Sequence, residues 1–258
     1  MKLTVTINKT KNNDSNLRAF ANVVFDGRFA LENIKIKESS TNKLYVELPR
    51  YKRKSGDETE YKDVFHPITT EMHKAFNGVI LSSYEQADEN KKIFAFEYGK
   101  EPLAVDYCTT KLYSVKDDAL KGFSNVVFEQ GFALENVKVK HSNQSGNLFV
   151  ELAKYRATAK DEGGNTQVDE KGNTLYVYRD CFHPITKEAY DDLSSAVIEA
   201  YETKLGETQF KQVSEPTLDA VPMSEYSDDI GDLSAFVEAE DEYTSMLDLT
   251  AEEDKSRK

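Results

Sequence analysis

Phe20-Ala-Asn-Val-Val-Phe25-Asp-Gly-Arg-Phe29-Ala-Leu-Glu-Asn33-Ile34 comes back 103 positions later as Phe123-Ser-Asn-Val-Val-Phe128-Glu-Gln-Gly-Phe132-Ala-Leu-Glu-Asn136-Val137. Two further blocks follow in the same order. Leu44-Tyr-Val-Glu-Leu48 returns as Leu148-Phe-Val-Glu-Leu152 after 104 positions, and Phe65-His66-Pro67-Ile68-Thr69 as Phe182-His183-Pro184-Ile185-Thr186 after 117. A kept order with growing spacing marks an internal duplication, so the chain reads as two copies of one unit. The spacing grows by 13 between Tyr155 and Asp180, which places a lengthened loop in the second copy.

Each copy reads as strands followed by a helix. Leu17 to Phe25 is rich in β-branched and aromatic residues, and Asp26-Gly27 is a strong hairpin signal. The next strand starts at Phe29 and ends in Ile34-Lys35-Ile36-Lys37, matched by Val137-Lys138-Val139-Lys140. That period of two puts the apolar pair on one face and both lysines on the other. Ser39–Asn42 and Ser142–Gly146 are turn chemistry leading into the strands at Leu44 and Leu148. Strands joined by short turns are expected to form an antiparallel meander. Proline disfavours helix at the preceding residue, so His66 and His183 should be extended and Thr69 and Thr186 should cap helices. Met72, Phe76, Val79, Ile80 and Tyr84 then recur at helical spacing, as do Ala189, Leu193, Ala196, Val197 and Tyr201. The expected fold class is α+β: a tandem repeat of a small antiparallel sheet with a C-terminal helix packed over it.

Length and composition fit this reading. The 258 residues suit two domains of roughly 100–150 each. The expected organisation is a first repeat over residues 1–98, a second over 99–210 with an inserted loop at about 156–179, and an acidic, largely disordered tail over 211–258. With 39% apolar and 31% charged residues, no apolar run approaches the ~20 residues of a spanning helix, so no membrane partner is expected. Met1–Ile7 alternates like a strand and lacks the layout of a signal peptide; a cytoplasmic location is expected. Cys108 and Cys181 stand 73 positions apart and support neither a disulfide framework nor a zinc site. The net charge of −13 is uneven. Residues 212–258 hold 14 carboxylates against three cations, whereas residues 1–100 hold 17 cations against 14 carboxylates.

The succession of an Asp-Gly hairpin, a strand ending Ile-Lys-Ile, a Leu-Tyr-Val-Glu-Leu-Pro strand, basic residues, Asp63-Val-Phe-His66-Pro67-Ile68 and a helix resembles the stage V sporulation protein G (SpoVG, septation protein) family. The likeness covers about residues 3–87 and 104–204, with Asp180-Cys-Phe-His183-Pro184-Ile185 as the second instance of its most specific element. It implies a regulator of septation or sporulation that binds DNA or RNA, built in that family from single short domains that pair into dimers. Two copies in one chain imply an intrachain pseudo-dimer and a chain that is monomeric.

The best electrostatic candidate is Arg50-Tyr51-Lys52-Arg53-Lys54, where cations beside an aromatic at a strand end suit phosphate contact with base stacking. The second copy offers Lys154-Tyr155-Arg156, followed by a nearly self-neutralised loop, and is expected to contribute less. Lys35, Lys37, Lys138 and Lys140 could extend a positive surface, although such lysines more often guard an exposed strand. His66 and His183 each follow an aspartate by three positions, but no nucleophile recurs beside them, and a histidine bonded to backbone at the strand-to-helix corner is the simpler reading. Repeated Glu32, Glu135, Glu47 and Glu151 are expected to pair with Lys or Arg across strands. No Gly-rich phosphate loop and no metal-ligand spacing appear, so the chain is expected to be a non-enzyme without cofactor or metal. The acidic tail, with Ile230, Leu233, Phe236 and Val237 on one potential helical face, reads as a solubilising segment, a docking motif for a protein partner or a cover for the basic residues. The alternative function is a protein-interaction adaptor in cell division or sporulation control, working through sheet edges and that tail.

Overall fold

A computed structural model describes residues 1–10, 15–55, 58–88, 92–113, 119–161 and 163–214; the expected acidic tail lies outside them beyond Ser214. In the first repeat the strands are β1 (Lys2–Lys9), β2 (Leu17–Phe25), β3 (Phe29–Glu38), β4 (Leu44–Glu47), β5 (Arg50–Ser55), β6 (Glu58–Asp63) and β7 (Phe65–Pro67), followed by helix α1 (Thr70–Gln86) and β8 (Lys92–Glu97). The second repeat supplies β9 (Val105–Leu112), β10 (Leu120–Phe128), β11 (Phe132–His141), β12 (Leu148–Glu151), β13 (Lys154–Thr158), β14 (Tyr176–Asp180), β15 (Phe182–Pro184) and helix α2 (Lys187–Ser214). This is the α+β tandem repeat that the sequence leads one to expect.

The chain divides into two compact units that are not the two repeats. Among the described residues, one holds Met1–Pro49, Asp63–Ala153 and Asp180–Phe210; the other holds Arg50–Lys62, Lys154–Arg179 and residues 211–214.

In the first unit the repeats exchange strands. β1, β2 and β3 form an antiparallel meander, with β8 beyond β1. β9, β10 and β11 form its counterpart. The outer edge of β3 takes β4 at Lys35–Glu38 and, further along, β15 of the other repeat at Phe29–Leu31. The outer edge of β11 takes β12 and β7 in the same way. The ladders continue past the short strands: Glu32 N–H donates to the Cys181 carbonyl and Glu135 N–H to the Val64 carbonyl, at 2.7 and 2.8 Å. The expected pseudo-dimer therefore exists as a reciprocal exchange of the two Phe-His-Pro strands.

The core follows from that exchange. Phe25, Phe29, Phe65, Phe76, Phe128, Phe132 and Phe182 are all almost fully buried. The rings of Phe65 and Phe182, one from each exchanged strand, stack at 4.4 Å with 9° between planes. Fully burying such a side chain contributes roughly 1.5–3 kcal/mol, so this cluster is the largest apolar term joining the repeats. α1 is capped by Thr69, whose hydroxyl accepts from Met72 N–H at 3.1 Å, and buries Met72, Phe76 and Ile80. Thr186 accepts from Ala189 N–H at 3.2 Å in the same role.

Local turn chemistry sets the registers. Asp26 and Gly27 both take positive φ, 52° and 67°, and Arg28 N–H closes on the Phe25 carbonyl, as a type I′ turn requires. Asn33 and Asn136 sit at φ 60° and 58° in bulges between β2 and β3 and between β10 and β11.

Candidate nucleic-acid interface

The second unit contains, among the described residues, two antiparallel ribbons, β5–β6 and β13–β14, each a two-stranded sheet of its own. Arg50, Tyr51, Lys52, Arg53 and Lys54 all lie on β5, and Lys154, Tyr155 and Arg156 begin β13. The residues expected just after the Leu44 and Leu148 strands thus form strands of their own. Arg50, Arg53 and Lys154 are exposed, and Tyr51, Lys52, Tyr155 and Arg156 are half-buried. Over residues 50–63 there are five cations and four carboxylates, and four of the cations lie on β5. Over 154–180 five cations meet five carboxylates, which agrees with a nearly neutral second ribbon.

The expected inserted loop is folded. After β13 the chain makes two further tight turns, with bridges at Lys160↔Thr166 and Val168↔Thr174. Asp161-Glu-Gly-Gly-Asn165-Thr166 and Asp169-Glu-Lys-Gly-Asn173-Thr174 repeat after eight positions. In both, the Asp carboxylate accepts from the Asn backbone at 2.8 Å and from the Asn side chain at 3.2 or 3.0 Å. Those bonds hold both carboxyls below their ordinary range.

Sequence reasoning passed over the second strand of each ribbon. Tyr61-Lys62-Asp63 recurs as Tyr178-Arg179-Asp180 at the same displacement of 117 as the Phe-His-Pro strand. That displacement was the available signal. A cation–Tyr–cation triplet on one strand and a Tyr–cation pair on its neighbour therefore occur in both ribbons. Tyr61 and Tyr178 are 40% and 56% exposed. The Arg156 guanidinium lies 3.7 Å from the centroid of the Tyr176 ring, a cation–π contact that also orients the guanidinium. Exposed rings interleaved with cations on a narrow ribbon can stack bases and contact phosphates.

The other sequence candidates have local partners. Lys35 and Lys37 converge on Glu47 at 3.8 and 3.0 Å, and Lys138 and Lys140 on Glu151 at 3.6 and 2.9 Å. One carboxylate therefore serves each lysine pair, as expected for cross-strand pairing. Glu32 and Glu135 face histidines of the opposite repeat, a contact that the cross-strand pattern does not announce. His66 Nε2 is 3.4 Å from Glu135 Oε1 and His183 Nε2 is 3.6 Å from Glu32 Oε1. The Nδ1 atoms lie 3.1 and 3.2 Å from the Pro67 and Pro184 carbonyls, the backbone contact expected at this corner. The Glu32 carboxylate raises the His183 pKa above its ordinary value despite burial. Burial pushes the Cys108 thiol up to about 11 and the Cys181 thiol up to about 12, so neither is a thiolate near neutral pH. Among the described residues no group of His, Cys, Asp and Glu is arranged to hold a metal. No described helix is long and apolar enough to cross a membrane.

The profile of the SpoVG family matches residues 1–86 and again 106–203. A protein of Caldanaerobacter subterraneus subsp. tengcongensis, provisionally named septation protein SpoVG, is 33% identical over 90 residues, which is 35% of this chain and 94% of that one. Proteins with the same provisional name from Treponema denticola and Archaeoglobus fulgidus are 35% and 32% identical, over 28% and 33% of this chain and 73% and 93% of theirs. No solved structure matches the chain. Each of these relatives corresponds to about one repeat, and the duplicated profile match takes in both meanders, both exchanged strands, α1 and the first part of α2: the chain belongs to the SpoVG family, as a tandem pair of its units.

Proposed function

We propose that this protein is a non-enzymatic, cytoplasmic nucleic-acid-binding regulator of septation or sporulation, acting as a single chain. The family and the names of its relatives support the septation role at that coarse level. The observation that carries the binding reading is the ribbon pattern. Arg50-Tyr51-Lys52 with Tyr61-Lys62, and Lys154-Tyr155-Arg156 with Tyr178-Arg179, bring rings and cations together twice on paired strands.

Arg50, Lys52, Arg53 and Lys54 supply the phosphate contacts, with Lys154 and Arg156 adding to them. Tyr51 and Tyr155 supply stacking surface together with Tyr61, Tyr176 and Tyr178. Affinity of this kind falls steeply with salt because each neutralised phosphate releases counterions. The test is a salt titration of oligonucleotide binding. Replacing Arg50, Lys52, Arg53 and Lys54 by Ser should weaken binding across all sequences and flatten the log–log salt slope by about one for each contacting cation removed. Replacing Tyr61 and Tyr178 by Ala should weaken single strands more than duplex, by about 1–3 kcal/mol per stacked base. An unchanged slope in the first variant removes β5 from the interface.

A further inference from the structure

The two sheets end differently. In the first repeat β8 pairs antiparallel with β1 from Lys2↔Glu97 to Ile7↔Lys92. In the second repeat β9 takes the place of β1 and is the terminal strand of its sheet among the described residues. Val5 lies opposite Val23 and Cys108 opposite Val126, so Cys108 stands where Val5 does and Thr110 where Ile7 does. Tyr113 N–H donates to the Lys121 carbonyl at 2.9 Å. Antiparallel pairing alternates, so the backbone groups of Cys108, Thr110 and Leu112 point away from β10. They are the counterparts of the groups that β1 offers to β8.

Beside this edge lies a groove of about 950 Å³ between β9 and α2, lined by Tyr107, Cys108, Thr110, Ser195, Glu199 and Thr203 among others. Its floor is polar where the first repeat is apolar. Thr110 and buried Ser124 share a hydrogen bond of 2.7 Å where the first repeat sets Ile7 opposite Ala21. Among the described residues no strand follows α2 as β8 follows α1. α1 stops at Gln86 and Ala87 is already extended, whereas α2 runs eleven residues past the equivalent Thr203, to Ser214. At 1.5 Å per residue that is about 16 Å further on.

Charge selects the occupant. The groove carries Asp106, Asp191, Asp192, Glu199 and Glu207 against Arg28 and Lys204. Asp191, Asp192 and Glu207 pair with Lys187, Arg28 and Lys204. Asp106 and Glu199 are exposed and make no ion pair among the described residues. A second copy would bring the same acidic groove, and residues 215–258 carry 14 carboxylates against three cations.

We propose that β9 receives an extended, lysine- or arginine-bearing segment of a partner protein as an added antiparallel strand. The cations of that segment lie on its side facing α2, where they meet Asp106 and Glu199. This is strand addition to an open sheet edge, with main-chain bonds giving affinity and alternate side chains giving selectivity. It stands apart from the nucleic-acid reading, because none of these residues is in the ribbons.

The test is amide exchange of the full chain followed by NMR, with two blocked peptides as probes: Lys-Thr-Lys-Thr-Lys-Thr-Lys and Glu-Thr-Glu-Thr-Glu-Thr-Glu. The lysine peptide should slow exchange at Cys108, Thr110 and Leu112 by about tenfold or more, and the glutamate peptide should not. A chain with Asp106→Lys and Glu199→Lys should lose the response while keeping its unfolding midpoint, since both side chains are exposed. Protection by both peptides or by neither overturns the proposal. So does protection already present without peptide: if deleting residues 215–258 abolishes it, the chain's own tail is the occupant, and if it grows with protein concentration, a second copy is.

Discussion

Asn33 and Asn136 show how one residue aims a contact between the repeats. Their N–H groups donate to the side chains of Asn22 and Asn125, each at 3.2 Å, within the bulges that turn Glu32 and Glu135 towards His183 and His66. The repetition of these Glu, Asn and His residues is plain in the sequence, but their pairing is not, because each Glu meets the histidine of the other copy. A strand alternation alone would have matched both glutamates with lysines, as Glu47 and Glu151 are. The pairing has a consequence for pH. The folded pKa of His183 lies above the ordinary 6.5, chiefly through the hydrogen bond to Glu32, with the charges of Glu32 and Asp180 adding to it. The stability it contributes is therefore whole below about pH 6.5 and is lost as pH rises through the folded value. Glu32→Gln should cost more near pH 5.5 than near pH 8, by under about 1 kcal/mol because the pair is partly solvated. Urea unfolding of both proteins at the two pH values measures this; a cost that is equal, or larger at pH 8, means that Glu32 does not hold the imidazolium.

At the scale of elements, the meanders, the Asp-Gly hairpin, the helix caps and the buried helix faces follow from local patterns of two and 3.6 residues, and the structure has them where the sequence places them. The exchanged strands are only three residues long, too short for any periodicity. Proline at Pro67 and Pro184 marks them as extended, but their neighbour on β11 or β3 is a non-local choice decided by packing. What decides it is the phenylalanine cluster, since Phe65 and Phe182 can stack only if both strands cross to the other repeat. Phe65→Ala should therefore cost about 3–5 kcal/mol, with Phe65→Leu costing markedly less. Denaturant unfolding reports this as a lower midpoint. If the Ala variant loses less than about 1 kcal/mol, the stack is not what joins the repeats. The ribbons were hidden for a different reason. On β5 the cations are nearly continuous, so no alternation announces a strand, and on β13–β14 the turns depend on Asp–Asn side-chain bonds rather than on an apolar face.

For the whole molecule, the exchange makes each repeat incomplete. The β3 edge at Phe29–Leu31 is closed by Phe182–Pro184, and the first repeat's own Phe65–Pro67 is spent on β11. A fragment of residues 1–98 would hold an open β3 edge and a displaced Phe-His-Pro strand at once. Two such fragments can satisfy each other, because Phe65 matches Phe182 and Phe29 matches Phe132 in type and place. Burying Phe65 within its own repeat would require the chain between β7 and α1 to fold back across Ile68, whose N–H in the full chain donates to the Gly131 carbonyl of the other repeat at 2.9 Å. The fragment is thus expected to be a dimer in sedimentation equilibrium at micromolar concentration, while the full chain, whose exchange is internal, sediments as a monomer. Phe65→Ala in the fragment should abolish both the dimer and the folded circular-dichroism signal together, since folding and association then share one core. A fragment that is folded and monomeric would show that the strand can close on its own sheet, and the covalent joining of two repeats would then need a cause other than completing the core.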